Sequence, residues 1–306
     1  MSISKEIPLT TTGVSHPYHL ALLDKVNQLL PREGVITTAI PGLTVFHSCH
    51  HRPARPFIYK PGIAVVLQGR KIGRVGSREF YYGPGQYLLQ TLPIPFYCET
   101  IGSQESPAIG VRIDFDSAIV AELVQGLPGS YRDFDRLEPT VSVPMHSDMA
   151  YAVVRLLEAG ADPAIAAVLG QARLKELTYE ALKGPHGHAL RALAVDGGHY
   201  ARIARSLKQI SANLDGEFNV TALAREAGMS VSGYHASFKQ ITQTSPIQYL
   251  KRCRLLKAQA ILSRNSCGVS QVASEVGYTS ISQFSRDYKK AFGYSPTKEQ
   301  GIGIPA

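Results

Sequence analysis

The sequence predicts a two-domain α+β protein, in which a small strand-rich barrel or sandwich with flanking helices precedes an all-helical domain. The chain has 306 residues, 44% of them hydrophobic, which is long enough for two separate cores. Short β-branched and aromatic runs fill residues 34–115, whereas a diverged helical repeat fills residues 223–296. The two parts therefore differ in both secondary structure and periodicity.

The net positive charge of the chain lies entirely in its last third. Residues 1–198 contain 18 Lys/Arg and 18 Asp/Glu, whereas residues 199–306 contain 14 and 6. A basic domain beside a neutral one is typical of a nucleic-acid binder, because Lys and Arg displace condensed counterions from phosphates. A merely solvated basic face is the alternative interpretation.

The first domain is predicted to begin with an amphipathic helix over residues 17–30, which Pro31 ends. Seven strand-like runs separated by Pro and Gly then lie between Gly34 and Phe115: LTVFHS, PFIYK, IAVVLQG, EFYYG, QYLLQ, PFYCET and AIGVRIDF. Further helices are predicted over residues 116–125, 145–159, 163–182 and 201–214. The segment KGPHGH at 183–188 predicts a break, either a turn or a linker.

Cysteine usage and the N-terminus indicate a cytoplasmic protein. Cys49, Cys98, Cys253 and Cys267 have no CxxC spacing, so neither a disulfide framework nor a zinc site is predicted. The N-terminal segment MSISKEIPLTTTG lacks an apolar core, and no stretch approaches the roughly 20 apolar residues that span a bilayer.

The helical repeat consists of LAREAGMSVSGYHASFKQITQTSP at 223–246 and VASEVGYTSISQFSRDYKKAFGYSP at 272–296. In each copy a small residue allows close helix approach, an acid follows on the solvent side, and a glycine supplies the positive φ that ends the helix. These residues are Ala224, Glu226 and Gly228 in the first copy and Ala273, Glu275 and Gly277 in the second.

A hydroxyl after each glycine is suited to cap a second helix: Ser230 in the first copy and Thr279 or Ser280 in the second. The second helices are predicted over residues 231–242 and 281–292. Their predicted buried faces comprise Val231, Tyr234, Phe238, Ile241, Ile281, Phe284, Tyr288 and Ala291. Two short helices joined by a tight glycine turn form a helix-turn-helix unit, whose second helix fits the major groove of DNA.

A connecting helix is predicted between the copies. The segment PIQYLKRCRLLKAQAIL starts with Pro246 and carries a basic cluster of Lys251, Arg252, Arg254 and Lys257. A rigid helix of this size spans about 25 Å, comparable with the roughly 34 Å between major-groove segments one turn apart. Both reading helices are therefore expected to enter successive grooves.

These repeats, with FKQITQTSPIQYLKRCRLLKAQAIL between them, make residues 205–300 resemble the DNA-binding domain of AraC/XylS-type transcription regulators. The resemblance implies helix-turn-helix units at about 221–242 and 270–292 and a connecting helix at 246–263. The segments YKPGIAVVLQGRKIG, YYGPGQYLL and LPIPFYCET at 59–100 resemble the cupin-like sensor domains of some of these regulators. The implied division is a sensor and dimerisation domain at 1–184, a linker region at 185–204 and a DNA-binding domain at 205–306.

The resemblance also implies partners and contact residues. The partners are double-stranded DNA, RNA polymerase, a small-molecule effector and a second copy of the chain, whereas effector-binding residues and the sign of regulation stay open. The implied base-facing residues are Ser232, Gly233, His235, Ala236, Ile281, Ser282, Gln283, Ser285 and Arg286. Of these, Gln283 suits adenine, and Arg286 suits guanine or a phosphate. The implied phosphate contacts are Ser230, Lys239, Lys251, Arg252, Thr279, Ser280, Lys289 and Lys290.

Enzymatic and cofactor chemistry is weakly supported. The cluster HSCHH at 47–51 contains three histidines, but no acid follows at the spacing that metal-binding cupins use, so surface histidines are favoured and no metal or cofactor is predicted. GRKIGRVG at 69–76 lacks the GK[ST] of a phosphate loop and favours a basic β-hairpin. A regulator that is not an enzyme is therefore predicted, and a cupin-type enzyme or small-molecule carrier is the alternative.

Overall fold

The structure, a computed structural model, describes residues 17–127, 137–194, 198–264 and 267–302. A strand-rich first domain precedes an all-helical second domain, which confirms the predicted fold class. The N-terminal segment 1–13, for which the sequence predicts no apolar core, lies outside the described residues. None of the helices in the described ranges is long and apolar enough to cross a bilayer.

The strands of the first domain form two antiparallel sheets. The described strands are β1 (Gly34–Thr37), β2 (Leu43–Ser48), β3 (Arg52–Phe57), β4 (Gly62–Gln68), β5 (Arg70–Val75), β6 (Arg78–Tyr82), β7 (Gln86–Gln90), β8 (Phe96–Ile101), β9 (Ala108–Asp114) and β10 (Thr140–Pro144). One sheet has the order β1-β2-β9-β4-β7-β10 and the other has the order β3-β8-β5-β6. Pairing of β5 with β6 confirms the hairpin predicted for GRKIGRVG.

The larger sheet is buried on both faces at its central strand β4, which explains the unbroken apolar sequence of that strand. Ile63, Val65 and Leu67 pack against the helices of the first domain. The alternate residues Ala64 and Val66 point the other way, into the space between the two sheets. The sheets therefore enclose a barrel interior distinct from the helix-covered core.

Five helices flank or follow the sheets: α1 (Pro17–Leu29), α2 (Ser117–Gly126), α3 (Ser147–Ala161), α4 (Pro163–Lys183) and α5 (Gly187–Ala194). Helices α3 and α4 form a tight pair because Asp162 ends one and caps the other. Its carboxylate accepts a 2.7 Å bond from the Ala164 amide, and Pro163 occupies the first turn.

The C-terminal domain consists of α6 (His199–Ala212), α7 (Val220–Glu226), α8 (Val231–Thr242), α9 (Pro246–Leu262), α10 (Val269–Glu275), α11 (Ile281–Phe292) and α12 (Pro296–Ile302). Helix α9 connects the two repeat copies. Its N-cap Ser245 accepts from the Gln248 amide, and Pro246 starts its first turn. The domain boundaries implied by the resemblance stay predictions.

Four elements were not predicted from the sequence, namely β1, β10, α5 and α12. Each is short and contains a residue that weakens the pattern, such as Pro144, Gly187 or Gly301. The break at 183–188 is a turn leading into α5, whose Leu190 is buried in the core of the first domain. The predicted strand PFIYK is displaced, because β3 already ends at Phe57.

The second domain contacts β3 and the segment 91–94 of the first. At β3, the guanidinium carbon of Arg55 lies 5.8 Å from the centroid of the Tyr294 ring. Leu92 and Ile94 belong to the same apolar cluster as Ile203 and Leu207 of α6. The hydroxyl of Tyr249 on α9 donates a 2.9 Å hydrogen bond to the carbonyl oxygen of Pro93. The hydroxyls of Thr91 and Tyr200 on α6 also form a hydrogen bond with each other. Segment 91–94 is therefore a docking platform for the helical domain.

Candidate nucleic-acid interface

The first helix pair, α7 and α8, has the predicted turn. The side chain of Asn219 caps α7 by accepting a 3.0 Å bond from the Ala222 amide. The helix ends before Gly228, whose φ of 62° lies in the left-handed region. Ser230 then caps α8 by accepting a 3.1 Å bond from the Gly233 amide.

The second pair, α10 and α11, repeats this arrangement with Gly277 at a φ of 82°. Of the two candidate capping residues, Ser280 is the one used. Its hydroxyl accepts a 3.3 Å bond from the Gln283 amide at the start of α11. The two repeat copies therefore have equivalent turns and equivalent caps.

An arginine from a neighbouring helix lies at each glycine turn. Arg202 of α6 donates to the carbonyl oxygens of Ala227 at 3.3 Å and Gly228 at 2.9 Å. Arg254 of α9 donates to the Leu214 carbonyl oxygen at 2.7 Å, and its Nη2 lies 2.7 Å from the position that a Cβ on Gly277 would take. The guanidinium of Arg254 is therefore engaged in contacts within the protein.

The reading helices bury most of the predicted faces, because Tyr234, Phe238, Phe284 and Tyr288 are fully enclosed. The prediction of a buried side chain is wrong for Val231 and Ile281, which are 42% and 52% exposed. Each is the first residue of its helix, so its side chain projects beyond the end of the core. Ile281 is also among the base-facing residues that the family resemblance implies, and its exposure is compatible with that role.

On α8 the predicted base-facing residues form a small, weakly polar surface. Ser232, His235 and Ala236 are exposed, and Gly233 is half-buried. The hydroxyl of Ser232 lies 3.4 Å from that of the capping residue Ser230. This surface offers few donors with which to distinguish bases.

On α11 two of the predicted readers are linked to each other. The Nη2 of Arg286 donates a 2.9 Å bond to Oε1 of Gln283, and the Nε2 of Gln283 donates a 3.0 Å bond to Asp287. The amide of Gln283 is thus held at both ends. Arg286 is exposed, as are Ile281 and Ser282, whereas Gln283 and Ser285 are half-buried.

Asp287 is the centre of this network. Burial raises the pKa of its carboxyl, but hydrogen bonds from Gln283 and Lys251 outweigh burial, so the pKa lies below its usual value. The Nζ of Lys251 on α9 is 3.0 Å from the carboxylate, and the Tyr278 hydroxyl donates to it at 3.2 Å. Asp287 therefore stays ionised and ties α11 to the connecting helix.

The predicted phosphate contacts fall into two groups. Exposed residues at the ends or caps of the reading helices are Ser230, Lys239, Thr279, Ser280, Lys289 and Lys290. The two residues on α9 are half-buried: Lys251 pairs with Asp287, and Arg252 lines a pocket beside Pro56 and Tyr97 of the first domain. As DNA contacts, both groups stay predictions.

Histidine and carboxylate clusters elsewhere form local ion pairs or hydrogen bonds. In HSCHH, His50 pairs with Glu33 at 2.9 Å and His51 pairs with Glu99 at 2.8 Å. Ligand atoms of His146, Asp148 and Glu180 lie within 4.8 Å of one another, which is close enough for a metal. The Lys183 ammonium, however, lies 3.1 Å from Asp148 and 3.0 Å from Glu180, so it already compensates these carboxylates.

Sequence reasoning missed Arg202 and Asp287, which organise the interface, and it named Arg254 only as part of the basic cluster on the connecting helix. The Gln283 to Asp287 spacing of four was a usable signal, because side chains at i and i+4 meet on one face of a helix. The two arginines act across helices distant in sequence, where spacing carries no information.

Two family models match the chain. The one described as the AraC-type transcriptional regulator N-terminus matches residues 39–189, and a helix-turn-helix domain model matches residues 223–300. The regulator AlkR of Acinetobacter baylyi is 31% identical over 97 residues, which is 32% of each chain. The activator RhaS of Escherichia coli is 32% identical over 80 residues, which is 26% of this chain and 29% of RhaS. The match thus spans about a third of the length of these curated relatives.

The fold is similar to that of ToxT from Vibrio cholerae. An apo form and an unsaturated fatty acid-bound form each give a TM-score of 0.59 at 11% identity. The apo comparison covers 89% of this chain and 100% of ToxT, and the bound comparison covers 90% and 99%. Both the barrel and the helical domain therefore have counterparts in a solved fold.

We predict that Gly277→Ala destabilises the protein more than Gly293→Ala. Both glycines have a φ above 80°, but a Cβ on Gly277 lies 2.8 Å from backbone atoms of residues 214 and 215, whereas Gly293 has open space. Conformational strain costs each variant about 1–2 kcal/mol, and the clash adds to this only at Gly277. Urea unfolding measures both changes, and equal losses would contradict the steric explanation.

Proposed function

Because the chain belongs to the AraC/XylS family of transcription regulators, we propose that it binds specific DNA sequences and controls transcription from nearby promoters. The paired helix-turn-helix units carry this proposal. Each presents the exposed N-terminal half of its second helix, where such units contact base edges. Transcription control in the cytoplasm, through contact with RNA polymerase, belongs to the same proposal.

Charge supports DNA as the partner. The excess of 14 Lys/Arg over 6 Asp/Glu in residues 199–306 provides the electrostatic attraction that non-specific binding needs. Exposed Lys239, Lys289 and Lys290 lie toward the C-terminal ends of the reading helices. These cations are suited to contact phosphates beside the groove, while the helix N-termini face the bases.

We infer unequal roles for the two units. Arg286 on α11 has exposed donors and is oriented by Gln283, which in turn is fixed by Asp287. A pre-oriented arginine is the side chain best suited to guanine. The surface of α8 has only Ser232, His235 and Ala236 to offer, so this helix is suited to setting register. In this assignment Gln283 positions Arg286 instead of reading adenine itself.

The barrel supports regulation by an effector. Its interior belongs to the same apolar cluster as the first helix-turn-helix unit, and it contacts the helical domain at segment 91–94. ToxT, which has a similar fold, was solved with an unsaturated fatty acid. We propose that a small molecule in the barrel controls the DNA-binding domain. A cupin-type enzyme or small-molecule carrier is the alternative function, and such a protein is expected not to bind DNA.

We expect sequence-selective DNA binding whose affinity falls steeply with salt, because counterions are released from each contacted phosphate. Selection from a random duplex library, followed by titration of the selected site and a scrambled duplex at several salt concentrations, measures both properties. Enrichment of no sequence would rule out the regulator. The spacing of selected half-sites also reports whether both units and a second copy bind.

We predict that Arg286→Ala weakens binding to the selected site by about 1–3 kcal/mol and leaves the scrambled duplex nearly unchanged. Gln283→Ala should cause part of the same loss, because Arg286 loses its acceptor. Lys175→Ala on α4 is the control, since it removes an exposed cation of the first domain. Equal loss on both duplexes would make Arg286 a phosphate contact.

We also propose that the chain dimerises through an apolar stripe on α4. Ile165, Val168 and Leu169 follow helical spacing on the side opposite buried Gly170, and Val168 is 79% exposed. Two copies of such a stripe can cover each other across a two-fold axis. A second copy is the proposed occupant because a two-fold pair would bring together two DNA-binding domains, which suits binding to paired half-sites.

Val168→Asp should therefore shift the protein from dimer to monomer in sedimentation velocity experiments, because it places a charge in the centre of the stripe. Ala167→Asp adds the same charge to the same helix, outside the stripe, and should leave the dimer intact. A wild-type protein that sediments as a monomer at micromolar concentration would exclude the interface.

A further inference from the structure

The interior of the barrel contains two inward-facing cations. On β9, Val111 and Ile113 face the helices, so the intervening Arg112 faces the space between the sheets. On β5, Lys71 also points inward, because its Nζ lies 4.0 Å from the ring centroid of Phe46 on the opposite sheet. Cations are rare inside a barrel unless they have a partner.

Both cations contact the same tyrosine. The Nζ of Lys71 donates a 3.4 Å hydrogen bond to the hydroxyl of Tyr59. The guanidinium carbon of Arg112 lies 4.1 Å from the centroid of the Tyr59 ring. Tyr59 thus brings a lysine from one sheet and an arginine from the other into one cluster.

The positive charge of this cluster is only partly compensated. Arg112 pairs with Asp114 at 2.7 Å and donates to the carbonyl oxygen of Lys60. Its side chain is only 11% exposed, yet its buried Nη1 has no hydrogen-bond partner in the protein. Among the described residues no carboxylate pairs with Lys71, whose contacts are Tyr59 and Phe46. The two positive charges of Arg112 and Lys71 are therefore opposed by the single carboxylate of Asp114.

The cluster is accessible, and buried aromatic rings pack behind it. Phe46, Tyr59 and Lys71 face the interior but keep part of their solvent exposure, so the barrel is open at this point. The ring of Tyr59 is 5.3 Å from that of Phe96, which is 6.0 Å from that of Phe80. An apolar surface with a few convergent polar groups is the usual form of a small-molecule site.

We propose that the barrel binds a small amphipathic anion, with its acid group between Lys71 and Arg112 and its apolar part against Phe46 and Tyr59. The acid would give the unpaired Nη1 an acceptor and supply the missing negative charge. A carboxylate and a phosphate monoester share this chemistry. The inference deepens the proposed effector function by naming the class of effector and the residues that bind it.

Calorimetric titration of the full-length protein with decanoate, decyl phosphate and 1-decanol tests the site. At least one acid should bind saturably and at least tenfold more tightly than the alcohol, since only the acids complement the cations. The acid that binds more tightly identifies the preferred head group. Absence of saturable binding by both acids, or equal binding of the alcohol, would overturn the proposal.

Lys71→Met should weaken binding of the acid at least tenfold and leave the alcohol unchanged, because methionine keeps the apolar stem and removes the charge. Arg70→Met is the matched control, since Arg70 is the preceding residue of β5 and is exposed on the outside. Circular dichroism checks that both variants fold. An unchanged affinity in Lys71→Met, or an equal loss in Arg70→Met, would contradict the assignment.

These titrations contain no DNA, so they succeed or fail independently of the proposed regulator function. Adding the acid to the DNA titration then tests regulation itself. A change in DNA affinity in the wild type that is absent in Lys71→Met supports an effector site. An acid that binds the barrel but leaves DNA affinity unchanged would refute regulation while the binding site stands.

Discussion

The geometry of each reading unit depends on a left-handed glycine that is closely approached by an arginine. Gly228 and Gly277 end the first helix of each pair and turn the chain within a few residues. Arg202 holds the first turn through its carbonyl oxygens, whereas Arg254 is packed against the second and anchored to Leu214. Because these arginines belong to α6 and α9, the angle of each reading helix is set by the long helices around it. The exposed surface of α8 and α11 follows from that angle.

Local features were predictable from the sequence, and features that depend on distant contacts were not. The glycines and the Ser230 and Ser280 caps follow from neighbouring residues, and the structure has them as expected. Helical periodicity alone put Val231 and Ile281 in the core, because it takes no account of where the helix leaves the core. The pairing of Lys251 with Asp287 and the inward cations of the barrel need the tertiary fold and the strand register, which spacing does not provide.

The two helix-turn-helix units are built into different surroundings. The first shares an apolar cluster with the barrel, in which Tyr234 and Phe238 join Leu92 and Ile94. The second has its own core around Phe284 and Tyr288. Leu255 and Leu262 of α9 belong to this core, and the ion pair of Asp287 with Lys251 adds a polar contact to the same helix. The second unit also reaches the barrel, because Ala291 and Phe292 of α11 line a pocket with Pro56 and Tyr97. A displacement at the barrel can therefore reach either unit through packed side chains.

The shared cluster has a consequence for dissecting the protein. A fragment beginning at residue 199 would leave Tyr200, Ile203 and Leu207 without the cover of Leu92 and Ile94. It would also leave the Tyr249 hydroxyl without the Pro93 carbonyl. Such a fragment exposes an apolar surface that favours aggregation during expression. A chimera that joins this helical domain to another barrel should for the same reason retain the loop at 91–94.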